Sequence, residues 1–195
     1  AEVKLFKDLK FRSNLGADVS NGVYEFYVDP IRTVYGRQNH GVSNLSKQEY
    51  LSWLSENTLT YSKYFGRNSL TALVGMSVQD NSFGHAYINT KDLPLQYVKT
   101  TNAGNQIEGA GNTKTHSALV SQFGRIIYDF DTKYLLTAAL RRDGSSKLSA
   151  DNRWDIFPSF SAGWRLSQEG FFSGMDVIND LKIRGGWVQT GNQEG

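Results

Sequence analysis

Residues 134–193 read YLLTAALRRDGSSKLSADNRWDIFPSFSAGWRLSQEGFFSGMDVINDLKIRGGWVQTGNQ. Three segments alternate apolar and polar side chains, at Tyr134–Arg142, Pro158–Leu166 and Leu181–Val188. Such a period of two marks strands with one face in each of two environments. In the first, Tyr134, Leu136, Ala138 and Leu140 share the apolar face. In the second, Phe160, Ala162, Trp164 and Leu166 oppose Ser159, Ser161, Gly163 and Arg165. In the third, Leu181, Ile183 and Trp187 oppose Lys182 and Arg184. The two environments are either core and water, or lipid and a wet lumen.

Upstream the same pattern recurs. After a strand end at Val3–Phe6 and a turn at Lys7–Asp8, Leu9, Phe11, Leu15, Ala17 and Val19 oppose Lys10, Arg12, Asn14, Gly16 and Asp18. A charged face of this kind is too costly to bury unpaired, so it faces water or a paired polar network. Leu59, Tyr61 and Phe65 alternate with Thr58, Thr60, Ser62 and Tyr64, and Gly66-Arg67-Asn68 turns the chain. Leu70, Ala72, Val74, Met76 and Val78 then form the next apolar face, opposite Thr71, Leu73, Gly75 and Ser77. This is the pattern of a hairpin. Ala118, Val120, Ile126, Tyr128 and Phe130 mark a further strand over Ser117–Phe130, turned at Asp131-Thr-Lys133.

Between these strands lie stretches without sustained period, Ser20–Glu56 and Asn81–Thr115, which read as long loops. Within the first, Ser46-Lys-Gln-Glu49 fits a helix capping box. The connections thus run short, long, short, long, short, intermediate, intermediate. Short turns at one end and long loops at the other suit an outer-membrane barrel better than a soluble sandwich. Tyr61, Phe65, Tyr128, Phe130, Tyr134, Phe160 and Trp187 sit near strand ends, as interfacial aromatic girdles do.

The bulk numbers agree. The chain of 195 residues carries 19 glycines, 3 prolines and 13% aromatic residues, a composition that leans toward strands. A net charge of +2 with no basic run gives no nucleic-acid footprint. The absence of cysteine excludes disulfides and thiolate metal sites. No apolar run approaches the ~18 residues of a transmembrane helix, whereas barrel strands carry a much weaker hydropathy signal. No signal-peptide pattern opens the chain. About seven strands plus a strand end, beginning in mid-architecture, lead us to expect a segment of a larger barrel, because an open sheet would leave edges unpaired in lipid.

Tyr134-Leu-Leu-Thr-Ala, Arg141-Arg-Asp-Gly-Ser-Ser146, Asn152-Arg-Trp154, Phe157-Pro-Ser159, Ser161-Ala-Gly-Trp-Arg165, Leu181-Lys-Ile-Arg184 and Thr190-Gly-Asn-Gln193 occur in that order. Together they closely resemble the barrel of SusC/RagA-type TonB-dependent transporters of the Bacteroidota outer membrane. Leu9-Lys-Phe-Arg-Ser-Asn14 and Glu56-Asn-Thr-Leu-Thr-Tyr61 are similar to upstream strands of that family. The resemblance implies an all-β fold: an antiparallel transmembrane barrel of about 22 strands around a plug, of which this chain supplies seven to eight strands. Residues 1–195 would all belong to the barrel domain, with plug, TonB box and signal peptide outside them. The resemblance further implies energy supplied through TonB, a SusD-like lipoprotein lid, and a cargo of oligosaccharide or peptide. A non-transporting surface adhesin or a soluble β-rich binding domain is the alternative.

No catalytic or metal constellation stands out, and no cofactor is expected. His40, His85 and His116 have no ligand spacing, and Asp129, Asp131, Asp143, Asp151 and Asp155 read as turn and loop acids. We therefore expect a non-enzymatic chain. Arg141, Arg142, Asp143 and Gly144 read as a structural motif, an Asp-Gly turn organised by charge-assisted hydrogen bonds. Tyr24, Phe26, Tyr27, Tyr35, Phe83, Tyr87 and Tyr97 are the candidate contacts for cargo or partner, since aromatic faces beside amides stack on sugars or pack peptide side chains. Leu70, Ala72, Val74, Met76, Leu136, Leu140, Trp164 and Ile183 are the expected lipid-facing residues.

Overall fold

A computed structural model describes residues 1–94, 97–172 and 179–191 of the chain. The last two residues of the Thr190–Gln193 motif and the middle of the Gln168–Asp180 connector lie outside the described residues. Eight strands follow in chain order: β1 Glu2–Phe6, β2 Leu9–Val28, β3 Val42–Phe65, β4 Asn68–Lys91, β5 Gln106–Phe130, β6 Tyr134–Ser145, β7 Trp154–Arg165 and β8 Lys182–Val188. They form one sheet in sequential order, an antiparallel meander wherever the pairing is resolved. Among the described residues, no helix is long and apolar enough to cross a membrane.

The register decides which side chains share a face. Phe130, Tyr128, Ile126 and Gly124 on β5 pair with Tyr134, Leu136, Ala138 and Leu140 on β6. Those β6 residues pair with Trp164, Ala162, Phe160 and Pro158 on β7. Trp164 and Phe160 pair in turn with Ile183 and Trp187 on β8. Paired residues in an antiparallel sheet point the same way. One apolar and aromatic field therefore runs across four strands, as the alternation predicts. Its reverse carries Arg125, Thr137, Arg141, Ser159, Ser161 and Arg184. Ile126, Leu140, Phe160, Ile183 and Trp187 are all at least half exposed, so this field is not a protein core.

Strands β6 and β7, at 12 residues each, match the ~9–11 residues a tilted strand needs to cross a bilayer. Strands β2 to β5 are twice that, at 20, 24, 24 and 25 residues. Most of what reads as long loop is thus strand. Only 29–41 and 92–105 remain as long connections between β2 and β3 and between β4 and β5. The capping-box reading of Ser46–Glu49 is also wrong, because these residues lie inside β3. A strand whose side chains bond to polar neighbours needs no apolar period, so its polar residues imitate loop and helix-start signals. Among the described residues the one α-helix, α1 at Val34–Gln38, is capped instead by the Thr33 side chain, which accepts from the Gly36 N–H.

Contacts divide the chain into two compact units. The first comprises Ala1–Gly16, Leu54–Gln79 and the described residues from Ala118 onward; the second comprises Ala17–Trp53 and Asp80–Ser117. In the first, the turn between β5 and β6 holds both Asp131 and Thr132 at φ 56°, the left-handed pair that matches hairpin twist. In the second, the fully buried Thr90 donates to the Ser43 carbonyl, and Ser43 donates to the Lys99 carbonyl. Val42 and Leu93 are buried beside them. This small knot ties down the long connections.

Candidate functional site

The Arg-Arg-Asp-Gly-Ser-Ser motif is strand, not turn, through Ser145. Asp143 pairs with Asp155 and Gly144 with Trp154, so the chain reverses only at 146–153. The Asp-Gly dipeptide imitates a hairpin signal, but Gly144 is needed here for close packing. A Cβ on it would meet the Trp154 indole at 2.7 Å. The Arg142 guanidinium lies over the same indole, 4.4 Å from the ring. On the opposite face, Arg141 Nε donates to both carboxylate oxygens of Asp143 at 2.8 Å, and Nη2 donates to Ser121 Oγ at 2.8 Å. Ser121 is fully buried. Ser146 closes the reversal through its N–H to the Ala118 carbonyl, while its Oγ accepts from the Ala118 N–H. Each of these side chains is absorbed by packing or hydrogen bonding within the wall.

Arg141 and Asp143 also line a recess of about 590 Å³ on the polar face of the first unit, together with Arg12, Glu56, Arg125, Phe123 and Phe157. Glycine lets Phe123 take its place there: a Cβ on Gly75 would meet the Phe123 ring at 2.5 Å. Phe123 and Phe157 are not evident from the sequence as site residues, because alternation alone assigns them to the polar face without naming their neighbours.

The candidate aromatic residues fall in the second unit, and only Tyr35 and Tyr97 lie outside strands. Tyr24, Phe26 and Tyr27 belong to β2, and Phe83 and Tyr87 to β4. The structure gathers three of them: Phe26, Tyr27 and Tyr97 line an open cleft with Arg32 and Lys99. Lys99 Nζ sits 5.5 Å from the Tyr27 ring centre. At the same cleft Asp29 accepts from the Ile31 and Arg32 N–H groups at 2.8 and 3.1 Å. The Ile31 N–H, with the Arg32 N–H and charge adding to it, holds the Asp29 carboxyl below its ordinary range.

The others stand apart. Phe83 lines a separate groove with Tyr50, Lys114 and His116. Tyr87 stacks on His85 at 5.8 Å and lies against Gly111, where a Cβ would come within 2.6 Å of the ring. His85 is held by Ser46 at 2.9 Å, and Asn44 bonds Asn89 alongside. This polar ladder is illegible in the sequence because its members come from separate strands. Tyr24 and Tyr35 are exposed at 62% and 53% and join neither cluster. The remaining histidines stand beside carboxylates, His116 at 2.8 Å from Asp80 and His40 at 3.5 Å from Asp92. Among the described residues, no three His, Cys, Asp or Glu side chains converge as a metal site would require.

An eight-stranded antiparallel sheet with an exposed apolar field on one side and arginines and serines on the other is a stretch of transmembrane β-barrel wall. The proteins it resembles say which barrel. The TonB-dependent receptor SusC of Bacteroides thetaiotaomicron is 33% identical over 189 residues, covering 95% of this chain and 18% of its own. The TonB-dependent receptor P39 of Formosa agariphila is 32% identical over 195 residues, covering 98% and 19%. The chain belongs to the SusC/RagA family of TonB-dependent receptors, as a segment of their barrel. It spans about a fifth of the length of these relatives. The solved RagAB peptide transporter matches the fold with a TM-score of 0.90 at 21% identity, over 99% of this chain and 22% of that one. No family model matches the chain. TonB-dependent receptors are outer-membrane β-barrel proteins, which places this chain in that membrane.

Proposed function

We propose that the chain is part of the wall of an active importer that carries oligosaccharides or peptides across the outer membrane, drawing energy through TonB. The observation that carries this reading is the continuous exposed apolar field from Phe130 and Tyr134 through Trp164 to Ile183, backed by a polar reverse. In a barrel the lumen gives such a reverse face its water. The named relatives support the transport class, since one is SusC and a structural neighbour is a peptide transporter. In this reading the apolar residues Leu70, Ala72, Val74, Met76, Leu136, Leu140, Trp164 and Ile183 face lipid on successive membrane passes, and the chain performs no catalysis. A SusD-like surface lipoprotein is the proposed partner, and the cleft of Phe26, Tyr27 and Tyr97 is the proposed contact for cargo or that partner.

The test is uptake by cells lacking the full-length gene. Accumulation of labelled oligosaccharide or oligopeptide pools should fall and return on complementation, and a protonophore should abolish it. A surface lipoprotein should co-purify with the receptor in detergent. Undiminished uptake of both pools, or a full-length product that stays in the aqueous phase without detergent, overturns the proposal.

A further inference from the structure

At the short-turn end of the sheet three connections close almost at once, at 7–8, 66–67 and 131–133, while the fourth, between β7 and β8, runs from 166 to 181. A meander needs no such length there. The start of this connector is pinned in place. Ser167 donates its N–H to the Leu181 carbonyl at 3.2 Å and its hydroxyl to Asp180 at 2.9 Å, which closes the loop at its neck. Thr132 Oγ1 donates to Gln168 Oε1 at 2.8 Å. Glu169 then accepts from Tyr134 OH at 2.7 Å, Trp164 Nε1 at 3.1 Å and Lys133 Nζ at 3.4 Å.

Those donors give the connector a side. Phe130, Tyr134 and Trp164 stack in a row at 6.2 and 6.3 Å, and the register places all three in the apolar field. In a barrel girdle the Tyr hydroxyl and Trp N–H ordinarily bond to headgroups or water. Here they hold a carboxylate of the connector, which draws residues 167–169 over the outward face. Directly after it, the short turn Gly170–Phe172 is closed by the Phe172 N–H on the Glu169 carbonyl, and Phe171 is left 65% exposed. Leu181 and Ile183 are exposed beside the neck. Lys133 and Glu169 neutralise one another at 3.4 Å, so the surface presented around Phe171 is apolar with internally paired charge.

We infer that residues 167–172, at the start of the β7–β8 connector, are an interfacial membrane anchor, in which Phe171 enters the phospholipid leaflet at the short-turn end and Glu169 latches these residues to the aromatic row. The occupant is the glycerol-and-acyl boundary of a zwitterionic phospholipid leaflet, continuous with the lipid that covers Trp164 and Ile183. A charged partner protein would find no unpaired charge at Lys133 or Glu169 to recognise. The inference rests on the reading of the apolar field as lipid-facing, and its test separates the two.

Full-length receptor is placed in vesicles of zwitterionic phosphatidylcholine, with nitroxide labels at Phe171→Cys, Ile183→Cys and, as the aqueous control, Lys7→Cys. Collisions with oxygen and with a water-soluble nickel chelate are compared. Oxygen should exceed the chelate several-fold at 171 and 183, with the reverse at 7. Adding Glu169→Gln should raise chelate collisions several-fold at 171 and leave 183 unchanged. A chelate-dominated label at 171 with an oxygen-dominated label at 183 overturns the anchor alone. Chelate domination at both overturns the lipid-facing reading itself. Shielding of 171 from both reagents means a protein occupant and also overturns the anchor. Should the cysteine variants fail to insert, wild-type receptor in vesicles with a headgroup-proximal diazirine phospholipid gives the answer. Crosslinks on the peptide spanning 166–172 support the anchor, and their absence beside labelled Trp164 overturns it.

Discussion

Strands β6 and β7 and the part of β4 and β5 in the second unit are built from the same extended backbone, but different interactions hold them. In β6 and β7 the exposed apolar face is Tyr134, Leu136, Leu140, Phe160 and Trp164, the face we propose meets lipid. Polar side chains on the reverse need only a wet lumen. In the second unit, side chains bond across neighbouring strands instead: Ser52 donates to Asn81 at 2.7 Å, Ser46 bonds His85 at 2.9 Å, and His116 pairs with Asp80 at 2.8 Å. The difference teaches that a barrel strand can change its source of stability along its length. In the proposed reading, burial in hydrocarbon supports one part, while cross-strand polar contacts support the other.

The strongest way to break this comparison is to place one charge in each region. Val74→Arg puts a guanidinium on the apolar face and should cost ~2–4 kcal/mol near the bilayer midplane, enough to block assembly. Thr71→Arg, on the opposite face, should insert normally. Ser82→Arg in the second unit should change stability by no more than ~0.5 kcal/mol. Heat-modifiable migration and outer-membrane yield of the full-length receptor report all three. Equal loss at Val74 and Ser82 would erase the distinction between the regions.

Glycine gives a finer contrast. A Cβ on Gly75 collides with the Phe123 ring at 2.5 Å, whereas nothing lies within 4 Å of one on Gly84. Gly75→Ala should therefore cost ~1–3 kcal/mol by overpacking. Gly84→Ala should be neutral or stabilise by up to ~1 kcal/mol, since it restricts the unfolded chain. Denaturant midpoints of refolded receptor in detergent measure both.

Strain in the first unit is tested at Thr132, a β-branched residue at φ 56°. Thr132→Gly should relieve about 1–2 kcal/mol of backbone strain while losing the bond to Gln168, leaving a net gain below ~1 kcal/mol. A large loss would mean that the Gln168 contact outweighs the strain.

Acid should act locally on the second unit. Asp29 has its carboxyl held below its ordinary value by the Ile31 N–H, so its contribution to folding is fully present above that ordinary value. It is lost only as pH falls through the lowered value. Hydrogen exchange at Ile31 and Arg32, corrected for intrinsic rates, should speed up over that acid range. Asp29→Ala should show the faster exchange already at neutral pH.

The apolar field was legible because strand alternation puts its residues on one face. Leu70, Val74, Leu136 and Trp164 alternate with polar neighbours, and a shift of one residue would expose every one of them to the wrong solvent. The second unit was not legible for the complementary reason. Ser46, Gln48 and Glu49 sit in the part of β3 that belongs to the second unit, where polar bonds between strands stand in place of an apolar period and a chance capping box stands out. Gly144 reads as a turn because Asp-Gly usually makes one, and its true role depends on Trp154, which is distant in sequence. The cleft of Phe26, Tyr27 and Tyr97 likewise joins a strand to a loop.

What the residues alone determined was the existence, alternation and order of the apolar-and-polar strands, because a period of two is a local property of extended backbone. Tertiary structure decided how far the strands extend, which aromatic side chains meet, and that Glu169 draws residues 167–169 over the aromatic row. Those outcomes turn on contacts between distant parts of the chain, whose partners carry no mark of one another in the sequence.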